Sequence, residues 1–378
     1  MLTNEANGLY LFRKELLLAL MEDGYDIYVS FPPDENLDKL RRLSQDGRHP
    51  EIIETPFERR GNNPVKDFGL FRTYMRLIKK YDPDAVLTYT TKPNLYGGLA
   101  CSIKGVSYIC NITGLGTAIE NAGLLSKILL LFYRISMKKA RRVFFQNRKN
   151  LEFMNKYRIA SGHSQLLPGS GVNLTEHPYE AYPSEENGIC FLAVLRIMKD
   201  KGIEEYLRAA RLMKKRNSEL KFYLVGEYEE ETRGLYEPQI NKLHDGKIIE
   251  YFGHVDNVEE IMAKSHVIVH PSYHEGLSNV LLEAAACGRP VLASDINGCI
   301  ETFEEGKSGF SFRVKSAEAL AEAMEKILGL SSSQREEMGA AGRVWVEKNF
   351  DRNIIIEAYR DELRSINNNK ILKKRRKT

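Results

Sequence analysis

The chain has 378 residues, 43% of them hydrophobic and 28% charged, with a formal net charge of +4. This length exceeds what one hydrophobic core supports, so two domains are expected. The composition is that of a globular protein, no apolar run reaches the ~20 residues of a membrane span, and the polar start is no signal peptide. The five cysteines form no Cys-x-x-Cys pair, which argues against a disulfide framework or zinc ribbon and fits a reducing cytoplasm.

The positive surplus is local. Segment 370–377 carries six basic residues and no acid, and without it the balance is 49 basic to 51 acidic side chains. A second basic stretch lies between Glu120 and Glu152, with Lys127, Arg134, Lys138, Lys139, Arg141, Arg142, Arg148 and Lys149 and no acid. Such a face suits an anionic membrane leaflet. A solvated helix face and a disordered tail remain the plainer alternative. No interleaving of basic and aromatic residues supports nucleic-acid binding.

Hydrophobic periodicity predicts a helix over 9–21, strands over 26–31 and 51–56, and a helix over 65–81 that Asp82-Pro83 breaks. A strand over 85–89, a helix over 94–104, a strand over 106–111, a helix over 124–140 and a strand over 142–146 follow. Segment 176–187, rich in Pro, Glu and Ser, reads as the interdomain linker. Strands then recur over 189–195, 220–225, 248–252, 266–270 and 290–294, with helices over 201–215 and 277–287. The pattern implies two doubly wound α/β halves with ligands at the carboxyl ends of their strands. Segment 1–8 is too short and polar for the central strand expected at the start of such a half, so either the true start lies upstream, which the cost in buried apolar area favours, or the fold tolerates a missing strand.

The most informative stretch is 274–283. Glu275 falls on the loop after a buried strand, and Glu283 lies about two turns into the next helix. The helix N-terminus between them suits a phosphate. One carboxylate can hold the hydroxyls of a sugar and the other those of a ribose. Arg196 and Lys201, beside the first strand of the second half, form a candidate diphosphate clamp. Gly226-Glu227 and the Gly253-to-Val255 turn end two further strands, where a base can lie. In the first half, Lys92 and Asn94 follow one strand, with Asn94 as a candidate N-cap. Asn111, Thr113 and Gly114 open a loop after another, running on through Gly116 and Thr117. His266, His270 and His274 recur every four residues, but β-branched residues and Pro271 exclude the helix a metal face requires. The Asn-x-Thr patterns at Asn111 and Asn173 would not meet glycosylation machinery in the cytoplasm.

In this order these residues resemble family 4 glycosyltransferases of the GT-B fold. The most specific matches are Arg196 with Lys201-Gly202 and the Glu275…Glu283 pair within 270–283. The resemblance implies two Rossmann-like domains facing across a cleft: an acceptor-side domain over 1–175, the linker, a nucleotide-sugar domain over 188–350, a helix over 351–368 that packs back, and a basic disordered tail over 369–378. It implies a retaining, metal-independent enzyme with a UDP-sugar as co-substrate and no cofactor. Glu275 would contact the donor sugar and Glu283 the ribose. Arg196 and Lys201 would hold the diphosphate. Gly276, Leu277, Ser278, Asn279, Gly226, Glu227 and Val255 complete the donor side, with backbone N–H groups of 276–278 on the sugar or phosphate.

Segments 9–13, 88–94 and 111–116 are similar to the branch that extends sugars on undecaprenyl diphosphate, including the N-acetylgalactosaminyltransferase of bacterial protein glycosylation and its capsule and O-antigen relatives. Gly8, Arg13, Lys92, Asn94, Asn111, Thr113 and Gly114 are then acceptor-side candidates. The partners are a nucleotide sugar, a lipid-linked saccharide and an anionic membrane surface, at the inner face of the plasma membrane. A UDP-sugar 2-epimerase of the same fold and a non-catalytic nucleotide-sugar-binding remnant are the alternatives.

Overall fold

The computed structural model describes residues 1–375 except 35, 36, 60, 62 and 116–122, and describes no side chains at 124, 125 and 369–375. It comprises two compact units, Met1–Ser170 with Arg352–Thr378, and Gly171–Asp351.

The first unit holds β1 (Tyr28–Phe31), β2 (Glu51–Glu54), β3 (Ala85–Tyr89), β4 (Ser107–Ile112), β5 (Arg142–Phe145) and β6 (Ser164–Leu166). β1 pairs with β2, and the other four run in the order β3-β4-β5-β6, all parallel. The position between β1 and β3, for which the sequence offers no strand, is held by Leu2. It bridges Ser30 on one side and Thr88 on the other, both in parallel. Leu2 N–H donates to Leu87 O at 2.8 Å, Tyr89 N–H to Leu2 O at 2.9 Å, and Thr3 N–H to Ser30 O at 3.0 Å. One extended residue with a buried side chain therefore links the two groups of strands.

Helix Ala6–Glu22 buries Leu9, Leu16, Leu17 and Leu20 at helical spacing. They pack with Val29, Phe31, Leu87 and Ile109, and with Ile355, Tyr359 and Leu363 of helix Arg352–Arg375. That last helix belongs to the first unit and outruns the expected 351–368. The segment expected as a disordered tail from 369 is thus helical backbone to Arg375, because no Gly or Pro interrupts it. Residues 376–378 and the tail's basic side chains lie outside the described residues.

The second unit holds β7 (Cys190–Val194), β8 (Lys221–Val225), β9 (Glu250–Tyr251), β10 (Val267–His270), β11 (Val291–Ser294) and β12 (Gly309–Phe312). They form one parallel sheet, β12-β11-β10-β7-β8-β9. The four-residue β12 is not among the strands that periodicity predicts. The boundary between the units also lies earlier than expected. Segment 176–187 belongs to the second unit, because distant arginines clamp it. Fully buried Arg289 donates to the carbonyls of Glu180 and Ala181, both at 2.9 Å. Arg335 pairs with Glu185 at 2.6 Å.

Candidate functional site

The donor-side candidates gather at the carboxyl ends of β7, β8 and β10. After β7 the chain turns through a short 3-10 segment, Lys199–Lys201, into helix Ile203–Arg216. Between them, Gly202 has φ +74°, and a Cβ there would stand 2.1 Å from Pro271 O. Only glycine permits that approach. The 271–275 loop is thereby seated on the first loop, and Tyr273 N–H donates to Asp200 O at 2.9 Å.

This seating brings Lys201 and Glu275 together. Lys201 Nζ donates to Glu275 Oε1 at 2.6 Å, and His270 Nε2 lies 3.0 Å from the same oxygen. Nε2 faces a carboxylate and therefore carries the proton. His270 Nδ1 is buried without a hydrogen-bond partner among the described residues. Burial alone would push the Glu275 carboxyl up. The hydrogen bond and charge of His270, together with the Lys201 ammonium, outweigh it and hold Glu275 at about 2. It is therefore an anion at neutral pH, and both of its side-chain partners among the described residues sit on Oε1. From the other side, Gly298 has φ +83° and would place a Cβ 2.8 Å from Glu275 O. Gly298 O accepts the Ser278 N–H at 2.8 Å.

The next helix begins two residues later than expected, as Asn279–Ala286, with the Ser278 side chain capping Leu281 N–H. Glu283 is half-buried in its second turn, while Leu277 and Ser278 are buried. The Ser278 N–H, expected to face a ligand, is spent on Gly298. Arg196 does not join Lys201; its guanidinium pairs with Glu229 at 2.5 Å on the surface. Gly226 N–H donates to Gly253 O at 2.8 Å, which joins the ends of β8 and β9. Glu227 is exposed beside His254 at 3.1 Å, and Val255 is half-buried.

Two further residues shape the site. In the sequence His270 stands out only as part of a four-residue histidine period. The three side chains in fact diverge: His266 Nδ1 accepts from Cys190 N–H at 3.0 Å, His270 meets Glu275, and His274 is exposed. Gly298 lies 23 residues beyond Glu275, and no local signal ties the two.

In the first unit, Asn94 and Asn111 meet, but inside the sheet. Thr88 Oγ1 donates to Asn94 Oδ1 at 2.6 Å, Asn94 Nδ2 to Asn111 O at 2.7 Å, and Asn111 Nδ2 to Thr88 O at 3.0 Å. Tyr359 Oη bonds Asn111 Oδ1. Asn94 is therefore not an N-cap; it lies within a π-helical turn, Pro93–Gly97. Lys92 is held by Asp67 at 2.7 Å. Gly8, Thr113 and Gly114 are half-buried, whereas Arg13 is buried. Gly116 and Thr117 lie outside the described residues.

The basic stretch is partly neutralised. Arg141 and Arg142 both grip Glu362, at 3.0 and 2.5 Å. Helix Leu124–Met137 still exposes Ile128, Leu131 and Ile135, at 55%, 55% and 48%, on one face. Among the described residues no helix is long and apolar enough to cross a membrane.

Residues 2–147 match the model of "Glycosyl transferase 4-like" domains, and residues 179–345 that of "Glycosyl transferases group 1". The N,N'-diacetylbacillosaminyl-diphospho-undecaprenol alpha-1,3-N-acetylgalactosaminyltransferase of Campylobacter jejuni is 26% identical over 95% of this chain and 96% of its own. The capsular polysaccharide biosynthesis glycosyltransferase CapM of Staphylococcus aureus is 32% identical, over 43% of this chain and 42% of its own. Among solved structures, a glycosyltransferase from Rickettsia africae ESF-5 superposes with a TM-score of 0.79 at 19% identity, covering 97% of this chain and 98% of that one. Anabaena Alr3699/HepE, solved with UDP and glucose, gives 0.78 at 15% identity, covering 96% and 98%. With a 4-like domain followed by a group 1 domain on two Rossmann-like units, the chain belongs to the glycosyltransferases of the GT-B fold.

Proposed function

We propose that the chain transfers a sugar from a UDP-sugar to a saccharide carried on a polyprenyl diphosphate, with retention and without a metal, at the inner face of the plasma membrane. The carrying observation is Glu275. It is an anion whose Oε1 is held by Lys201 and His270 and whose Oε2 is turned to no partner among the described residues. A carboxylate fixed in this way accepts from sugar hydroxyls while it faces the charge that develops as the glycosidic bond weakens.

Glu283 takes the ribose hydroxyls. Lys201 and Arg196 serve the diphosphate, the latter by leaving Glu229, a surface pairing worth little energy. The acceptor hydroxyl attacks the anomeric carbon on the face that the diphosphate leaves. The bond from that carbon to the UDP oxygen breaks, the bond to the acceptor oxygen forms, and the acceptor proton passes to the leaving phosphate. No enzyme nucleophile is needed.

The Campylobacter relative's name specifies an undecaprenol-linked acceptor, which supports the acceptor class. The row Ile128, Leu131, Ile135, flanked by Lys127, Arg134 and Lys138, supports docking at a headgroup region. The test is a panel of radiolabelled UDP-sugars incubated with lipid extracts. One donor should give a labelled lipid product with wild type and none with Glu275→Ala. Equal labelling by both would sink the reading.

A further inference from the structure

Four arginines are buried among the described residues: Arg13, Arg289, Arg335 and Arg352. Two are paired with an acid, and a third is met by a set of backbone oxygens. Arg289 donates to several backbone carbonyls, Arg335 pairs with Glu185 and Arg352 with Glu15. Arg13 is different. It is 6% exposed, yet its Nη1 donates to the adjoining Phe12 O, at 2.6 Å, rather than to an acid. Its guanidinium lies over the Tyr89 ring, 5.4 Å from the centroid. Nε is buried without a partner among the described residues, and the Tyr89 hydroxyl has only Tyr359 and Arg13 itself for neighbours. Phenols, of Tyr89 and Tyr359, stand beside it in place of carboxylates. No carboxylate among the described residues pairs with it. A buried guanidinium with so few partners among the described residues is costly, and an anion would offset that cost.

The surroundings point to a ligand. Tyr89 ends β3, at the carboxyl edge where parallel sheets bind ligands. The next residue, Thr90, is β-branched yet has φ +66°. The π-helical turn Pro93–Gly97 follows directly. Gly114, beyond the neighbouring β4, has no described atom within 4 Å of where a Cβ would stand. Backbone strain, a π-turn and an unmatched cation thus concentrate at one strand end. Burial pushes the Tyr89 phenol far up, so its hydroxyl stays a donor. A neutral saccharide would not offset the charge of Arg13, whereas a phosphate oxygen does, and the planar guanidinium suits it.

We propose that Arg13, with the Tyr89 hydroxyl, binds the diphosphate group of the acceptor. This rests on the acceptor class assigned above. The same chemistry occurs in free diphosphate, so the experiment has two arms. The full chain is first saturated with UDP to fill the donor side. It is then titrated calorimetrically with inorganic pyrophosphate or with farnesyl diphosphate, for wild type, Arg13→Met, Arg13→Lys and Tyr89→Phe.

Wild type should bind both. Arg13→Met should weaken binding by about tenfold or more, Arg13→Lys less, and Tyr89→Phe by a few-fold. Without ligand, Arg13→Met should melt at or above the wild-type temperature, since an unmatched charge is removed; a merely structural arginine would give a lower one. Arg13-dependent binding of farnesyl diphosphate alone also supports the proposal and adds a contribution from the lipid chain. Arg13-dependent binding of pyrophosphate alone overturns it in favour of free diphosphate. Equal binding by wild type and Arg13→Met, or no binding to wild type, overturns it outright. If Arg13→Met does not fold, Arg13→Lys and Tyr89→Phe decide by the same criterion. Failure of transfer to every lipid acceptor, with Arg13-dependent binding intact, would remove the proposed function and leave this site. Transfer by Arg13→Met at wild-type kcat and KM would do the reverse.

Discussion

Glu275 and Arg13 are both shielded charges at the carboxyl edge of a parallel sheet, yet their surroundings are opposite. Glu275 is held by a lysine and a histidine on one oxygen. Arg13 has no counter-charge among the described residues. The first is a site the protein completes by itself, with its group fixed before substrate arrives. The second is a site that, on the proposal above, an anionic ligand completes. The sheets differ in the same sense: the second has β7 at full length in its centre, whereas the first relies on Leu2 alone between β1 and β3.

The largest effect that separates the two sites is on catalysis. Glu275→Gln should lower kcat/KM for transfer on the order of 10²–10³-fold. UDP affinity by calorimetry should change far less than in Glu283→Gln; equal losses in the two variants would refute the separate roles. Next is Gly298→Ala. At φ +83°, with a Cβ 2.8 Å from Glu275 O, it should cost about 1–3 kcal/mol of stability and depress transfer with it. An unchanged melting temperature would show that Gly298 does not hold the loop.

His270→Gln should follow. It should lower kcat by about tenfold with UDP affinity unchanged, because the imidazole orients Glu275 rather than the nucleotide. A fall in UDP affinity alone would contradict that. The pH dependence of stability comes next. The Glu275 carboxyl is depressed from an ordinary 4.5 to about 2. Its contribution is complete above about 4.5 and is lost as pH falls towards 2. In urea unfolding, the advantage of wild type over Glu275→Gln should therefore shrink from about pH 5 to about pH 2, and a constant gap would contradict the assignment. The smallest effect lies in the sheets. Amides of 85–87, beside the short Leu2 bridge, should exchange faster than those of 192–194 in β7. Equal protection would show that one bridging residue suffices.

Much of the second unit is legible in the sequence. The strand over 266–270, the loop at Pro271 and the helix ended by Gly288 place Glu275 and Glu283 by local rules alone. The pairing of Arg196 with Lys201 is not decided in that way. Both follow β7, but a side chain's direction depends on its neighbours, and Glu229 takes Arg196 while Glu275 takes Lys201. His270 is hidden because a four-residue period suggests only a helix; a strand end followed by a returning loop brings it to Glu275 instead. Segment 176–187 looks loose because its partners, Arg289 and Arg335, lie more than a hundred residues away in sequence. Asn94 and Asn111 look like surface polar groups after strands, but their amides are satisfied by each other and by Thr88 inside the sheet.

By itself the sequence determined the alternation of strands and helices, the division into two α/β halves, and the two carboxylates bracketing a helix start. Those follow from periodicity, β-branching and the stop signals of Pro and Gly, which act within a few residues. Tertiary structure decided which charges meet. It put Lys201 and His270 on one oxygen of Glu275, turned Arg196 away, and set Arg13 under Tyr89 with no acid beside it among the described residues. Ion pairs and close backbone approaches join residues far apart in the chain, and their geometry exists only once the sheets have formed.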